Sequence, residues 1–391
     1  MARAVLPRTV VVLGLVSFLN DAASEMITPL LPIFLTATLG AGPAVVGLVE
    51  GIAEATASIL KLVSGRLADR GVRAKSLVLG GYGLSNLARP LVGLATAWAA
   101  VLLLRFLDRV GKGIRTAPRD ALIAAATHPE LRGRAFGFHR SMDHAGAVVG
   151  PLLAFALLNL HVDLEHVFLA SIVPGALVLL LLAIGVPTGE PFTAPARAPF
   201  SWRALHARLR AMIVAAGWLA LANVPEVFVV LWATQSGLPI KWVPLVWAAA
   251  SLAKMLLAMP AGIVSDRLGR TPVLLGGWTA RVAVLTLLAV KPAPSPPLVW
   301  VLFVAYSATL AITEPAERSL IGDHADEHER GTAYGLYHLA SGLLVLPGAV
   351  IFGALWQRYG SPVAFGAAAI TTAAGALWML LLTRQPHRLR A

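Results

Sequence analysis

Cysteine is absent from the 391 residues, which removes disulfides and thiolate-held metals and leaves the redox compartment open. Charge is scarce too: 13% of residues are Asp, Glu, Lys or Arg against 57% apolar, and mean hydropathy is +0.75. So little polar surface cannot coat a soluble globule of this size. Water-soluble enzymes and binding modules are thereby excluded. Of the charges present, the acidic sign is the rarer, with 20 Asp and Glu against 32 Lys and Arg and a net charge of +12. A basic excess can signal nucleic acid, but these residues form neither one patch nor a basic-aromatic array, so no nucleic-acid partner is expected. Nucleotide, zinc-peptidase and serine-hydrolase motifs (G-x-x-x-x-G-K-[ST], H-E-x-x-H, G-x-S-x-G) are missing. No His-rich tail exists, only His387 near the C-terminus, and no metal site is expected.

Apolar runs are what the sequence has in abundance. Twelve stretches, each long enough to cross about 30 Å of hydrocarbon as a helix, lie near 9–37, 44–66, 76–97, 98–120, 133–158, 165–186, 211–234, 242–264, 271–290, 297–321, 331–356 and 362–383. The reading is an all-α membrane protein with twelve transmembrane helices. Basic residues alternate between loops: Arg3 and Arg8, Arg66 to Lys75, Arg115 to Arg134, Arg197 to Arg210 and Arg384 to Arg390 share one side, while Lys241, Lys291 and Arg358 take the other. The positive-inside rule then puts both termini in the cytoplasm and the chain in the cytoplasmic (inner) membrane. Trp98, Trp232, Trp242, Trp300 and Trp356 fall at outer ends of spans, as an aromatic belt would place them. Residues 1–25 imitate a signal peptide, but the apolar run resumes at Met26 and an even count needs this helix.

The chain repeats itself. "GRLADRGVRAK" from Gly65 and "GIVSDRLGRTP" from Gly262 align at an offset of 262 − 65 = 197, and "RGRAFGFHR" from Arg132 and "RGTAYGLYH" from Arg330 at 330 − 132 = 198. Both offsets are about half the chain, the mark of a duplicated six-helix unit. Two pseudo-symmetric six-helix bundles are expected over 1–186 and 211–391. The Pro- and Arg-rich stretch 187–210 is a cytoplasmic linker, either solvated or, with Trp202, Leu205 and Leu209 on one face, an amphipathic helix lying on lipid.

Six plus six helices with a G-x-L-a-D-r-x-G-r-k loop after the second resemble the major facilitator superfamily. Gly65, Leu67, Asp69, Arg70 and Arg73 match that loop, with Val72 in place of its second glycine; Gly262, Asp266, Arg267, Gly269 and Arg270 keep it in the second copy. The resemblance implies alternating access, with these loops as cytoplasmic latches that break on opening. In the fifth span, Gly146, Gly150 and Pro151 resemble the G-x-x-x-G-P signature of the drug:proton antiporters, although its final glycine pair is lacking; "PLLP" at Pro29 and Pro32 resembles their P-v-x-P element. Small residues at this spacing let helices pack closely. The antiporter likeness implies export driven by a proton gradient, with no cofactor, by a monomer.

Charges inside the spans carry the chemistry, because a charge at mid-bilayer costs at least about 2.5–3.5 kcal/mol. Asp21 lies 13 residues beyond Arg8, or roughly 20 Å along a helix at about 1.5 Å per residue, and Glu25 follows one turn later. Crowding and desolvation both oppose ionising the two together, a property a proton carrier needs; the alternative is a static ion pair with Lys254 or Arg105. The second span adds Glu50, Glu54 and Lys61, of which Glu54 is deep enough to join Asp21. The fourth carries Arg105 and Asp108, three apart and able to meet, with Arg109 replacing a glycine of the family's R-x-x-q-G-x-g motif and Gly111 keeping the next. Lys112, Arg115 and Arg119 are expected at the cytoplasmic surface. Arg89, Glu226, Lys254, Arg281, Glu314 and Glu317 are further candidates; Lys254 needs an acidic partner such as Glu226 or Asp21, and Asp143 with His139 and Arg140 reads as a gating pair. The repeat does not duplicate the acids, since Asp21 aligns with Trp218, Glu50 with Trp247 and Glu54 with Ser251.

The expectation is therefore a secondary transporter exporting a small cationic or lipophilic solute against protons, with that solute, protons and the bilayer as partners. Export of an organic anion, favoured by Arg89, Arg105, Lys254 and Arg281, and export of a divalent metal ion are the alternatives. A membrane-embedded hydrolase finds only Ser24 beside Glu25 to suggest it, and a receptor or scaffold leaves the paired loops unexplained.

Overall fold

Apolar stretches with few internal helix breakers fold as fifteen α-helices, with no strand among the described residues. A computed structural model describes residues 6–69, 73–128, 131–186, 202, 205–290, 294–325 and 330–384. The helices are α1 (Arg8–Ile27), α2 (Leu31–Ile33), α3 (Pro43–Asp69), α4 (Ala74–Leu91), α5 (Trp98–Ala125), α6 (Arg132–Asn159), α7 (Leu164–Ala170) and α8 (Ile172–Gly185). They continue as α9 (Ala207–Ala222), α10 (Glu226–Gln235), α11 (Val243–Leu268), α12 (Arg270–Val290), α13 (Pro296–Asp323), α14 (Arg330–Tyr359) and α15 (Ser361–Arg384). Glycine and proline set several boundaries. Gly269 and Gly360 take positive φ, 93° and 86°, between α11 and α12 and between α14 and α15, a backbone that side chains resist.

Three expected single spans are broken. Pro29 and Pro32 interrupt the first after α1, and the chain recovers through α2 and a π-helical turn over Phe34–Thr38. Pro225 separates α9 from α10 by removing a donor and forcing Val224 out of helical conformation. The sixth breaks at Ser171 between α7 and α8. Ten helical runs among the described residues are long and apolar enough to cross a membrane. The expected α4 and α5 are not among them. Seven charged residues from Arg105 to Asp120 on α5, and Lys75, Asn86 and Arg89 on α4, dilute their apolar character. The all-helical membrane fold stands, while a count of twelve spans is not confirmed.

Two compact units emerge: Met1–Ala41, Thr56–Arg197 and Pro239–Ala248 in the first; Gly42–Ala55, Ala198–Leu238 and Ala249–Ala391 in the second. In the first, α1 packs on α6 and α8, and α4 on α5. In the second, α12 packs on α13 and α15, and α14 on α9. The start of α3 also belongs to the second unit, seated on α14: a Cβ on Gly51 would lie 3.1 Å from Leu346 Cα, and one on Gly353 3.1 Å from Ala44 Cα.

Two expectations change here. Leu205 and Leu209, read as part of a lipid-surface face, are buried in the second unit's core with Met212, Leu274, Trp278 and Leu320, Leu209 because α9 starts at Ala207 and carries it inward and Leu205 just ahead of that helix; much of 187–204 lies outside the described residues. Trp232 and Trp356, read as belt residues, are also buried. Trp356 joins Phe228, Phe352 and Phe365 in a ring cluster with centroids 4.7–6.0 Å apart, and aromatic packing inside the unit outweighs the interface preference. Trp98 and Trp242 remain exposed.

Candidate functional site

Helix α1 presents its acids where α6 comes closest. Gly146 and Gly150 let α6 touch the α1 backbone: a Cβ on Gly146 would lie 3.0 Å from Asp21 Cβ, and one on Gly150 3.0 Å from Ala22 Cα. The contacts run in parallel, from Gly14 against Phe138 and Met142 to Ala22 against Gly150. Asp21 accepts a hydrogen bond from Asn20 Nδ2 (3.0 Å), and among the described residues no lysine or arginine is within ion-pair distance of it. Glu25, one turn on, accepts from Trp247 Nε1 at 2.8 Å. Asp143 lies beside His139 and Arg140, as the sequence reading paired them, and has a further partner on α1. It faces α1, where Ser17 Oγ donates to its Oδ1, while His139 Nδ1 and Arg140 Nη1 approach its Oδ2 at 3.6 and 3.8 Å.

The charged segment of α5 is inside the first unit. Asp108 is enclosed by arginines: Arg89 Nε donates to it at 2.8 Å, with Arg105 Nη1 at 3.6 Å and Arg109 Nε at 3.9 Å. Arg89 also donates to Asn20 Oδ1 (2.9 Å) and to the Asn20 carbonyl (3.2 Å), tying this cluster to the residue before Asp21. Arg115, expected at the surface, is 4% exposed. It donates to Ser85 Oγ (2.6 Å) and lies 4.4 Å over the Tyr82 ring, because Gly81 and Gly111 let α4 and α5 touch. Lys112 is exposed and Arg119 half-buried.

In the second unit, Lys254 pairs with Glu226 at 2.7 Å, and Ser307 Oγ donates to the same carboxylate. Both candidate cations of a static pair with Asp21 are therefore engaged elsewhere. Arg281, 5% exposed, donates to Thr313 Oγ1 (2.6 Å) and Thr309 (3.4 Å). This mirrors Arg115 with donor and acceptor exchanged between the paired helices: Ser85 and Arg281 are 281 − 85 = 196 apart, Arg115 and Thr313 313 − 115 = 198 apart. Glu317 accepts from Trp278 Nε1 at 3.1 Å and Tyr337 OH at 3.4 Å. Glu54 and Glu314 are exposed and Glu50 partly so; Glu54 is in the second unit and Asp21 in the first.

Of the loop residues, Gly65 and Asp69 end α3, with the Asp69 side chain outside the described set, as is Arg70. Arg73 is exposed at the start of α4, and Gly262 and Arg267 are in the last turns of α11. Arg270 holds Asp266 and, at 3.2 Å, Asp323 at the end of α13. Among the described residues no group of three His, Asp or Glu side chains is arranged to hold a metal ion. Sequence reasoning missed the neutral partners Ser17, Ser85, Trp247, Ser307, Thr309 and Thr313; their one signal is a hydroxyl or indole inside an apolar helix.

Residues 13–253 and 240–391 match the profile of the Major Facilitator Superfamily. An uncharacterized MFS-type transporter of Methanocaldococcus jannaschii is 31% identical over 90% of this chain and 89% of its own length. Multidrug resistance protein MdtH of Aeromonas salmonicida is 28% identical over 96% of this chain and 95% of its own length. The crystal structure of nucleoside transporter NupG superposes with a TM-score of 0.80 at 13% identity, covering 97% of this chain and 100% of that one, a likeness of fold. With its membrane-length helices and these relatives, the chain is a multi-pass membrane transporter and not an enzyme: it belongs to the Major Facilitator Superfamily.

Proposed function

We propose that this transporter exports a small cationic or lipophilic solute in exchange for protons, by alternating access between the halves 1–186 and 211–391, in the cytoplasmic membrane with both termini inside. The observation that carries the reading is Asp21: a carboxylate in a membrane-spanning helix, without a basic side chain within ion-pair distance among the described residues, seated against Gly146 of α6. A carboxylate so placed exchanges a proton more readily than one locked in an ion pair. Glu25 extends the acidic face by one turn. The MdtH relatives, named for multidrug resistance, support export of such solutes. The proton gradient supplies the energy, and a monomer suffices.

A second reading, an organic anion as cargo, is favoured by one observation. The buried charged residues among those described are Arg89, Arg105, Arg109, Arg115 and Arg281 against Asp108 alone. Proteoliposomes under an imposed pH gradient test both, with ethidium as cationic probe and fluorescein as anionic probe. Proton-driven ethidium accumulation that disappears in Asp21→Asn supports the proposal. Accumulation of fluorescein alone supports the anion reading, and undiminished ethidium transport by Asp21→Asn overturns the role of Asp21.

A further inference from the structure

Resting on the proton-coupled reading, we propose that Asp143 on α6 is the second half of a proton-binding pair with Asp21 on α1, and that His139 is the group through which this pair exchanges its proton. The two helices run parallel. Ser17, which donates to Asp143, is one turn before Asp21; Gly146, which Asp21 contacts, is three residues after Asp143. The carboxylates are thus offset by about one helical turn, about 5.4 Å of rise, across the closest helix contact in the first unit. Gly146 permits this approach: any side chain there would displace Asp21 or the α1 backbone.

His139 supplies a second, independent observation. It is 4% exposed, its Nδ1 faces Asp143, and its Nε2 is buried without a hydrogen-bond partner. Orphaned buried nitrogens are costly, and an imidazole with one nitrogen on a carboxylate and the other open can take a proton on one side and release it on the other. In the transfer, the O–H of protonated Asp143 breaks as an N–H forms at His139 Nδ1, while the N–H at Nε2 breaks and its proton passes to a water molecule. Asp143, now ionised, accepts the proton held by Asp21, so one proton leaves the pair for water and Asp21 is left as the carboxylate.

The groups facing the pair set its electrostatics. Asn20 and Ser17 come from α1, and His139 and Arg140 from α6. From α5, Lys112 and Arg115 act through space on Asp21, and Arg119 and Asp120 on His139. Cations on α5 and α6 let the pair lose its proton without leaving two uncompensated charges. A cationic solute entering beside Asp21 would act in the same sense.

The test needs no knowledge of the solute. Infrared difference spectra of the full-length protein in lipid films, titrated by pH, report the carboxylic-acid C=O stretch directly. Interacting carboxylates titrate in steps that belong to the pair. Asp143→Asn should remove one step and move the midpoint of the remaining one by at least about one pH unit, the coupling that defines such a pair; Asp21→Asn should do the same from the other side. Ser17→Ala, which changes no charge, should also move both steps, and His139→Gln should slow proton uptake after a pH jump several-fold while keeping both midpoints. If Asp143→Asn deletes its own step and leaves the other in place, or if His139→Gln takes up protons at the parental rate, the pair or the relay is overturned. Failure of ethidium transport with the coupled steps intact would instead count against the export reading alone.

Discussion

Adding one methyl group at Gly150 should separate α1 from α6, and the structure sets the scale. A Cβ there would lie 3.0 Å from Ala22 Cα and 3.1 Å from its carbonyl carbon, with the carbonyl oxygen nearer still, whereas ordinary contact begins at 3.4 Å. The obstacle is backbone, so no rotamer can yield; with the Ala22 carbonyl oxygen at 2.4 Å, α1 must retreat by 3.4 − 2.4 = 1.0 Å to reach ordinary contact. Overpacking of this kind costs about 1–3 kcal/mol. Gly146 meets the same helix one turn earlier, so Gly146→Ala and the double variant should cost less than the sum, one retreat relieving both contacts. Gly137, on the same helix with nothing near its Cβ position, is the internal control: Gly137→Ala should be neutral or gain up to about 1 kcal/mol from helix propensity. The assay is the SDS-unfolding midpoint of the purified transporter, paired with spin-label distances between α1 and α6. Equal midpoints for Gly150→Ala and Gly137→Ala would refute the reasoning.

Glu226→Gln should leave Lys254 with a carboxamide and Ser307 in place of its ion pair. Because the two side chains are 28% and 17% exposed, the loss should fall below the about 3–5 kcal/mol of a fully buried pair, with Glu226→Gln/Lys254→Met recovering much of it in a double-mutant cycle. Asp323→Asn removes a partner of Arg270 at an exposed position and should cost no more than about 1 kcal/mol, vanishing in 1 M salt. Ser85→Ala and Thr313→Val each delete a hydroxyl that accepts from a buried guanidinium, so each should lose about 1.5–3 kcal/mol in the same unfolding assay, whereas Thr286→Val, at an exposed hydroxyl bonded within its own helix, should lose none.

The helices and the duplicated plan were legible in the sequence because hydropathy and repeat offset are long-range averages, insensitive to any one residue. Lys254 could be assigned an acidic partner on solvation grounds alone, and Glu226 fills that place. Depth along a helix, by contrast, did not predict which way a side chain turns. Arg115 was read as surface because it follows a charged run, yet Gly81 and Gly111 draw α4 and α5 together and enclose it. The partners of Asp143 on its own helix, His139 and Arg140, were legible from their spacing, but its donor Ser17, 126 residues away in sequence, was not. Such pairings are set by which helix faces which, and a period of 3.6 residues carries no information about the neighbour.

The inverted pair of Arg115 with Ser85 and Arg281 with Thr313 shows what the duplication preserved. In both halves a guanidinium bonds a hydroxyl at 2.6 Å across the helix pair, beside a glycine, Gly81 or Gly277, that the opposite helix crowds. In both, the hydroxyl in turn donates a hydrogen bond to a backbone carbonyl on α5 or α13, that of Asp108 or Thr309. Identity is lost at every one of these positions except the glycine, yet the charge–hydroxyl–carbonyl sequence is kept. Such a bridge fixes two helices to each other without a carboxylate, so it is indifferent to protonation. The titratable chemistry is free to differ between the halves, and it does: carboxylates crowd the α1–α6 contact of the first, while the second holds Lys254 in an ion pair with Glu226. Rigidity in each half thus rests on groups that do not titrate, and the titratable ones are left to differ.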